Sequence, residues 1–230
     1  PHSTRLAQLG TQLASAAHEM RAPLSRITSH ARALQEDDVT PSHVRAEKIE
    51  EAAVDAADTL ENLLSLARDR SGKSEPVSLA PLLQASVARM HVLFPDVPDE
   101  KLLLDDIPAD LVVTGDRLQL TRVVINIITN ACDAAFPAGT VQVSALAEDD
   151  GWATIVVKDT GDGMVPRDVA RACEPFFSSG KNGVGLGLTV AASFVRLHRG
   201  SLAISSDKGK GTTVTVHLPL SRSSGDAGET

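Results

Sequence analysis

Apolar residues in the first third of the chain recur at steps of mostly three and four. Leu6, Leu9, Leu13, Ala16, Met20, Ile27, Ala31 and Leu34 form one series; Ala46, Ile49, Ala53, Ala56, Leu60, Leu63 and Ala67 form a second. This spacing keeps the apolar side chains on one seam of an α-helix, close to a heptad repeat. Between the series lies "QEDDVTP", in which Thr40 and Pro41 make an N-cap and first-turn pair for the second helix. The pattern predicts a hairpin of two long amphipathic helices. A lone hairpin cannot cover both apolar faces, so two copies are expected to pair into a four-helix bundle, a homodimer. Alanine at many seam positions permits close packing but buries little area for each contact.

The periodicity changes after the polar stretch "RDRSGKSEP", residues 68 to 76. "VSLAPLLQASVARM" predicts a short strand entering a helix, and "DRLQLTRVVINIITNACDAAF" a strongly apolar helix. "TVQVSALAEDDGWATIVVKD" alternates as a β-hairpin turning near Asp149 to Gly151. A glycine-rich lead then opens the helix in "GVGLGLTVAASFVRLH", and "GSLAISSDKGKGTTVTVHLPL" is a second hairpin. Helices and antiparallel strands in separate groups predict an α+β sandwich. The expected organisation is a helical hairpin at 1–70, a linker at 71–76, the sandwich domain at 77–220 and a disordered tail at 221–230.

Composition narrows the partners. Twenty-two Lys and Arg against 30 Asp and Glu give a net charge of −8, which argues against a nucleic-acid surface and against contact with an anionic membrane. A protein partner or a metal-bound nucleotide fits better. Two cysteines make no disulfide framework and suit a reducing compartment. With no apolar run of about 18 residues, no initiator Met and no signal-peptide core, the expectation is a soluble fragment cut from something longer.

Four short motifs carry candidate chemistry. In "AHEMRAPL", His18 and Glu19 begin like the zinc signature His-Glu-x-x-His, but Ala22 stands where the second histidine belongs. His18 falls between Ala16 and Met20 on the outward side of the seam. Glu19 can accept an imidazole proton and sharpen the nucleophilicity of the other ring nitrogen. Pro23 removes a helical hydrogen bond and should bend the helix there. An exposed histidine on a coiled coil also needs no explanation.

"NIITN" sets Asn126 and Asn130 one turn apart on an apolar helix, suited either to a satisfied amide pair or to Mg²⁺ carrying a triphosphate. "DTGDGM" ends an apolar strand with Asp159, Gly161 and Gly163, either an ordinary Asp-Gly turn or a carboxylate that accepts from an exocyclic amine. "GVGLGL" offers backbone N–H groups at a helix start, as a loop or as a phosphate cradle; its spacing matches neither a Rossmann fingerprint nor a P-loop.

Taken in order, these motifs resemble the sensor histidine kinases of two-component signalling over about residues 5 to 220. "HEMRAPL" is similar to the H-box, "NIITNACDA" to the N-box, "DTGDGM" to the first glycine box, "EPFF" to the F-box and "GVGLGL" to the second glycine box. The resemblance implies a dimerisation and histidine-phosphotransfer hairpin followed by a Bergerat-type ATP-binding fold. It implies His18 as phospho-acceptor, Glu19 as the base that orients and deprotonates it, and Asp159 as reader of the adenine amino group, with Gly161 and Gly163 shaping the pocket. Asn130, helped by Asn126, would hold Mg²⁺, and Asp133 belongs to the same nucleotide-binding box. Gly183, Gly185, Leu186, Gly187 and Leu188 would form the phosphate side, Gly185 and Gly187 through their N–H groups, and Thr212 would lie near the adenine edge. Phe176 and Phe177 would anchor a lid from Ser178 to Asn182, with Lys181 reaching the γ-phosphate.

The same resemblance implies ATP and Mg²⁺ as cofactors, the receiver domain of a response regulator as partner, and a cytoplasmic fragment of a membrane-anchored, bacterial-type parent. Gyrase-type relatives carry a water-activating Glu where this chain has Asn126, so transfer to histidine is favoured over rapid hydrolysis. Ala22 departs from the pattern: many relatives have Thr or Asn there to position a water that dephosphorylates the regulator, so weak phosphatase activity is expected. The alternatives are a catalytically silent dimeric scaffold and an ATPase or serine kinase of the same nucleotide-binding superfamily.

Overall fold

The computed structural model describes residues 73–178 and 185–221, together with ten positions between Leu24 and Ala56. The chain divides into two compact units, Pro1–Arg68 and Asp69–Thr230. In the first, all ten described positions are helical. Ala56, a seam residue, is buried, and Thr28 returns its hydroxyl to the Leu24 carbonyl at 2.8 Å. His18, Glu19, Ala22 and Pro23 lie outside the described residues.

The second unit begins with strand β1 (Glu75–Ser78), which leads into helix α1 (Leu79–Leu93). Strands β2 (Leu102–Leu104) and β3 (Val112–Gly115) follow, then the long helix α2 (Arg117–Ala135). Strands β4 (Val141–Ala147) and β5 (Trp152–Asp159), a single-turn helix α3 (Pro166–Val169), helix α4 (Gly187–Leu197) and strands β6 (Ser201–Asp207) and β7 (Gly211–Pro219) complete it. Five strands form one sheet in the order β2-β4-β5-β7-β6, and β1 pairs with β3 in a small second sheet.

The period-two pattern explains the layers. Val141, Val143 and Ala145 of β4, Ala153, Ile155 and Val157 of β5, and Val214, Val216 and Leu218 of β7 are all buried. Register aligns them in cross-strand rows, Val143 opposite Val157 and Val157 opposite Val214, Ala145 opposite Ile155 and Ile155 opposite Val216. Helices α1, α2 and α4 cover this face. On α2 the buried set Leu120, Val123, Val124, Ile127, Ile128, Ala131, Cys132 and Ala135 repeats at three and four, so one stripe of the helix is committed to the core. The sandwich predicted from the sequence is the fold observed.

Two details differ from the sequence reading. The strands are not all antiparallel, because β2 pairs with β4 in parallel. It is three residues long and set among prolines and acids, too short for alternation to announce it. Strand β1 also starts at Glu75, inside the stretch read as linker, because Glu75 and Pro76 pair with Gly115 and Thr114. Ser221, read as tail, donates its N–H to the Val112 carbonyl at 2.8 Å and so belongs to the domain; residues 222–230 lie outside the described residues.

The ends of α2 and α4 are tied by one imidazole. Asp116 caps α2 by accepting from Gln119 N–H at 3.0 Å, and its own N–H donates to His198 Nε2 at 2.9 Å. His198 Nδ1 lies 2.7 Å from the Phe194 carbonyl, so the ring is the Nδ1–H tautomer. A Cβ at Gly115 would lie 2.2 Å from His198 Cδ2, which leaves room for glycine alone.

At the turn between β6 and β7, Gly211 has φ +100°, and a Cβ there would lie 2.0 Å from the backbone carbonyl of Asp159. Gly211→Ala therefore combines left-handed strain with a clash against rigid backbone. The expected cost is about 3 kcal/mol, or roughly 6 to 12 °C in a thermal melt of the isolated second unit.

Candidate functional site

Asp159 is the last residue of β5, two positions beyond Val157 on the same face. Its carboxylate therefore enters the layer between sheet and helices, where it is 4% exposed. Oδ1 accepts from Gly161 N–H at 2.8 Å and from Thr212 N–H at 3.1 Å. Among the described residues, no hydrogen bond reaches Oδ2. Burial pushes the Asp159 carboxyl above its ordinary value, while the two N–H donors pull it back down. The result is a buried acceptor with one oxygen fixed and the other available to a donor from a ligand.

The loop after β5 is held tightly. A Cβ at Gly161 would lie 2.2 Å from the Ala134 carbonyl, so this loop runs against the end of α2. Thr140 N–H donates to Thr160 Oγ1 at 2.8 Å, and Lys208 Nζ reaches the Gly163 carbonyl at 3.3 Å. Gly161 and Thr212 thus hold Asp159 through their N–H groups, and Gly163 lies farther along the same loop, where a Cβ would meet the Asp207 backbone.

Asn126, Asn130 and Asp133 occupy the shoulder of α2 beside its buried stripe, at spacings of four and three. Asn126 is half-buried, and its Nδ2 donates to the Gly187 carbonyl at 3.2 Å. That bond turns the amide toward the start of α4. Asn130 is exposed one turn on, within van der Waals reach of a Cβ built at Gly187. With Nδ2 of Asn126 engaged, the amide oxygens are the ligands left, and neutral oxygens suit a Mg²⁺ that already carries phosphate charge. Asp133 is exposed.

Gly187 is the first residue of α4, so its N–H has no intrahelical partner and fits an anion. Leu186 is 1% exposed and Leu188 half-buried; the Leu186 side chain is core, leaving only its backbone to face a ligand. Gly185 has φ +72°, and a Cβ there would lie 2.6 Å from the Phe177 carbonyl. Its own carbonyl accepts from Phe176 N–H at 3.0 Å, and Phe176 itself adopts φ +66°. Arg171 stacks on Phe177 at 4.5 Å from the ring centroid and pairs with Glu174 at 2.9 Å. Lys181 and Gly183 lie outside the described residues.

The sequence reading passed over three residues that the structure brings here: Thr160, Ser206 and Gly211. The "GKGTT" turn was a signal for Gly211. Thr160 lies within "DTGDGM", but its partner Thr140 is 20 residues away, and Ser206 combines two neighbours in the following turn with Met164, 42 residues away.

Cys132 lies on the buried stripe behind Asp159. Burial pushes its thiol up to about 12, with Asp133 and Asp159 adding to the effect. At pH 8 about one molecule in ten thousand would carry a thiolate. Burial raises the Cys173 thiol too, against Arg196. Iodoacetamide at pH 8 should therefore label either cysteine slowly in the folded protein and rapidly in denaturant, read by mass spectrometry.

The helix-on-sheet layer that carries Asp159, the α2 asparagines and the glycine-rich start of α4 falls within a stretch that matches a known ATPase family. Residues 115–222 match the family model of histidine kinase-, DNA gyrase B- and HSP90-like ATPases, and residues 8–72 match the His Kinase A (phospho-acceptor) domain. Sporulation kinase B of Bacillus subtilis (strain 168) is 30% identical over 95% of this chain and 51% of its own length. Among solved structures, the mycobacterial sensor histidine kinase MprB is 30% identical, with a TM-score of 0.58 over 64% of this chain and 98% of its own. The histidine kinase ThkA in complex with response regulator TrrA shares the fold at 19% identity, with a TM-score of 0.71 over 95% of this chain and 64% of that one. ShkA in complex with AMPPNP does so at 23% identity, with a TM-score of 0.61 over 94% of this chain and 46% of that one.

The chain belongs to the two-component sensor histidine kinases. It spans about half the length, or less, of the curated relatives it matches. Among the described residues, no helix is long and apolar enough to cross a membrane.

Proposed function

We propose that this chain is a protein-histidine kinase that binds ATP with Mg²⁺ at Asp159, phosphorylates His18, and passes the phosphoryl group to an aspartate of a response-regulator receiver domain. The observation that carries the nucleotide assignment is Asp159, buried at the end of β5 with Oδ1 fixed by two backbone donors and Oδ2 open. A carboxylate in that state selects a ligand that brings a hydrogen-bond donor, as the exocyclic amine of adenine does. The ShkA–AMPPNP and ThkA–TrrA complexes support the nucleotide and the regulator as ligand classes for this chain.

The residues divide the work. Asp159, with Gly161, Gly163 and Thr212 around it, holds the base. Asn130 and Asn126 would supply amide oxygens to hold Mg²⁺, whose charge would offset that of the phosphates, and the N–H of Gly187 at the start of α4 would donate to a phosphate oxygen. Glu19 orients His18 and takes its proton while the other ring nitrogen attacks the γ-phosphorus and ADP leaves. Catalysis of this kind depends on positioning and charge neutralisation more than on covalent help from the protein. Asn126 cannot act as a general base, which favours His18 over water as acceptor. The hairpin at 1–70 would form the homodimer, and Pro23 and the residues that precede strand β1 are the candidate hinges.

Incubation with γ-labelled ATP and Mg²⁺ tests this assignment. The expected label is stable to base and lost in acid, as for a phosphohistidine; an acid-stable label, or none, overturns it. Ala22 carries a further expectation. It has no group to place a hydrolytic water one turn from His18, so the purified protein should dephosphorylate a phosphorylated regulator no faster than the regulator loses phosphate alone. Rapid dephosphorylation that disappears on Ala22→Val would refute that.

A further inference from the structure

One hydroxyl joins three segments around the base site without itself being assigned any role there. Ser206, near the end of β6, is half-buried, and its Oγ has three polar neighbours. Met164 N–H donates to it at 2.8 Å, the Gly211 carbonyl lies 2.9 Å away, and Thr212 Oγ1 lies 2.9 Å away. A serine hydroxyl has one proton to give and two positions at which to accept. The Met164 amide can only donate and the Gly211 carbonyl can only accept. The Ser206 proton therefore goes to Gly211, and the third contact is satisfied when the Thr212 hydroxyl donates to Ser206. The opposite assignment leaves the Ser206 and Gly211 oxygens 2.9 Å apart with no hydrogen between them.

Thr212 already gives its N–H to Asp159 Oδ1 at 3.1 Å. With its O–H directed at Ser206 as well, Thr212 keeps only lone pairs for a ligand. The geometry points to Ser206 as a specificity-determining positioning residue: it fixes the Thr212 hydroxyl as an acceptor, so that Thr212 and Asp159 together accept the two hydrogens of an exocyclic amine. This inference rests on the assignment of Asp159 to the nucleotide base. Without Ser206 the Thr212 hydroxyl is free to rotate and the second acceptor loses its direction, whereas Asp159, fixed by two backbone N–H groups, is unchanged.

The test compares ATP with purine riboside triphosphate, which has hydrogen in place of the amine, for the wild type, Ser206→Ala and Ser206→Thr by competition against a fluorescent ADP analogue. The wild type should prefer ATP by about a hundredfold, Ser206→Ala should lower that preference by about tenfold, and Ser206→Thr should restore most of it. Melting curves establish that all three proteins are folded. A preference that stays constant in Ser206→Ala while both affinities fall together, or while neither changes, overturns the role of Ser206. A wild type that binds neither ligand, or both equally, overturns the Asp159 assignment itself.

Discussion

Asp159→Asn should cut autophosphorylation about a hundredfold at sub-saturating ATP, through binding, while leaving the fold intact or more stable. The asparagine oxygen can still accept from Gly161 and Thr212, so the loop keeps its anchors. Its amide nitrogen then sits where Oδ2 was and presents a donor to the incoming amine. Losing a charge-assisted hydrogen bond and opposing two donors costs about 3 kcal/mol, or about a hundredfold in ATP affinity. Titration with a fluorescent nucleotide would measure it. Unchanged affinity would remove Asp159 from the site.

Stability should move the other way. Burial raises the Asp159 carboxyl, so its ionised form is disfavoured in the folded protein relative to the unfolded chain. A raised acid contributes stability at pH below its unfolded value and loses it as pH rises through its folded value. Relative to Asp159→Asn, the wild type should therefore lose ground in denaturant midpoint as the pH is raised from about 3.5 toward neutrality. A constant difference across that range would contradict the cause assigned to the shift.

His18→Gln is the complementary loss. Glutamine keeps a polar side chain of similar length but has no nucleophilic ring nitrogen, so acid-labile label from γ-labelled ATP should fall to background, a drop of at least about a hundredfold. ATP affinity should stay within about twofold of wild type, since the residues assigned to the nucleotide lie between Asn126 and Thr212. Label that persists would exclude His18 as acceptor, whereas lost affinity would mean that the substitution acts beyond the acceptor. Mixing His18→Gln with Asp159→Asn chains distinguishes transfer within one chain from transfer across a dimer. In the second case the label reappears on the Asp159→Asn chain alone.

What the sequence disclosed depended on how local each signal was. The α2 stripe and the two hairpins were legible because periodicity is carried by consecutive residues, and Asp159 was legible because an apolar strand ends on it. Strand β2 was not, since three leucines beside prolines have no room to show a period. The pairing of β1 with β3 was missed because its partners are 34 to 40 residues apart. The sequence suggests a role for the Gly185 N–H but gave no sign of what its other groups do: its carbonyl holds Phe176, and its positive φ fits the chain against Phe177. Ser206 was invisible, because its significance lies in the three groups within 3 Å of it, two from the turn between β6 and β7 and one from the loop after β5.

The hydrogen bond from Phe176 to Gly185 has a thermodynamic consequence for ATP. Bringing the two ends of a chain segment together costs an entropy that grows with the logarithm of its length. Here the folded domain has already met that cost, with the Arg171 stack on Phe177 reinforcing one end. A nucleotide bound beside Gly187 therefore meets a loop whose described ends, Phe176 and Gly185, are already joined, with no closure penalty added. Cutting that single bond, for example with N-methylated Phe176 introduced by semisynthesis, should weaken ATP binding through a less favourable entropy while the enthalpy of base recognition at Asp159 is retained.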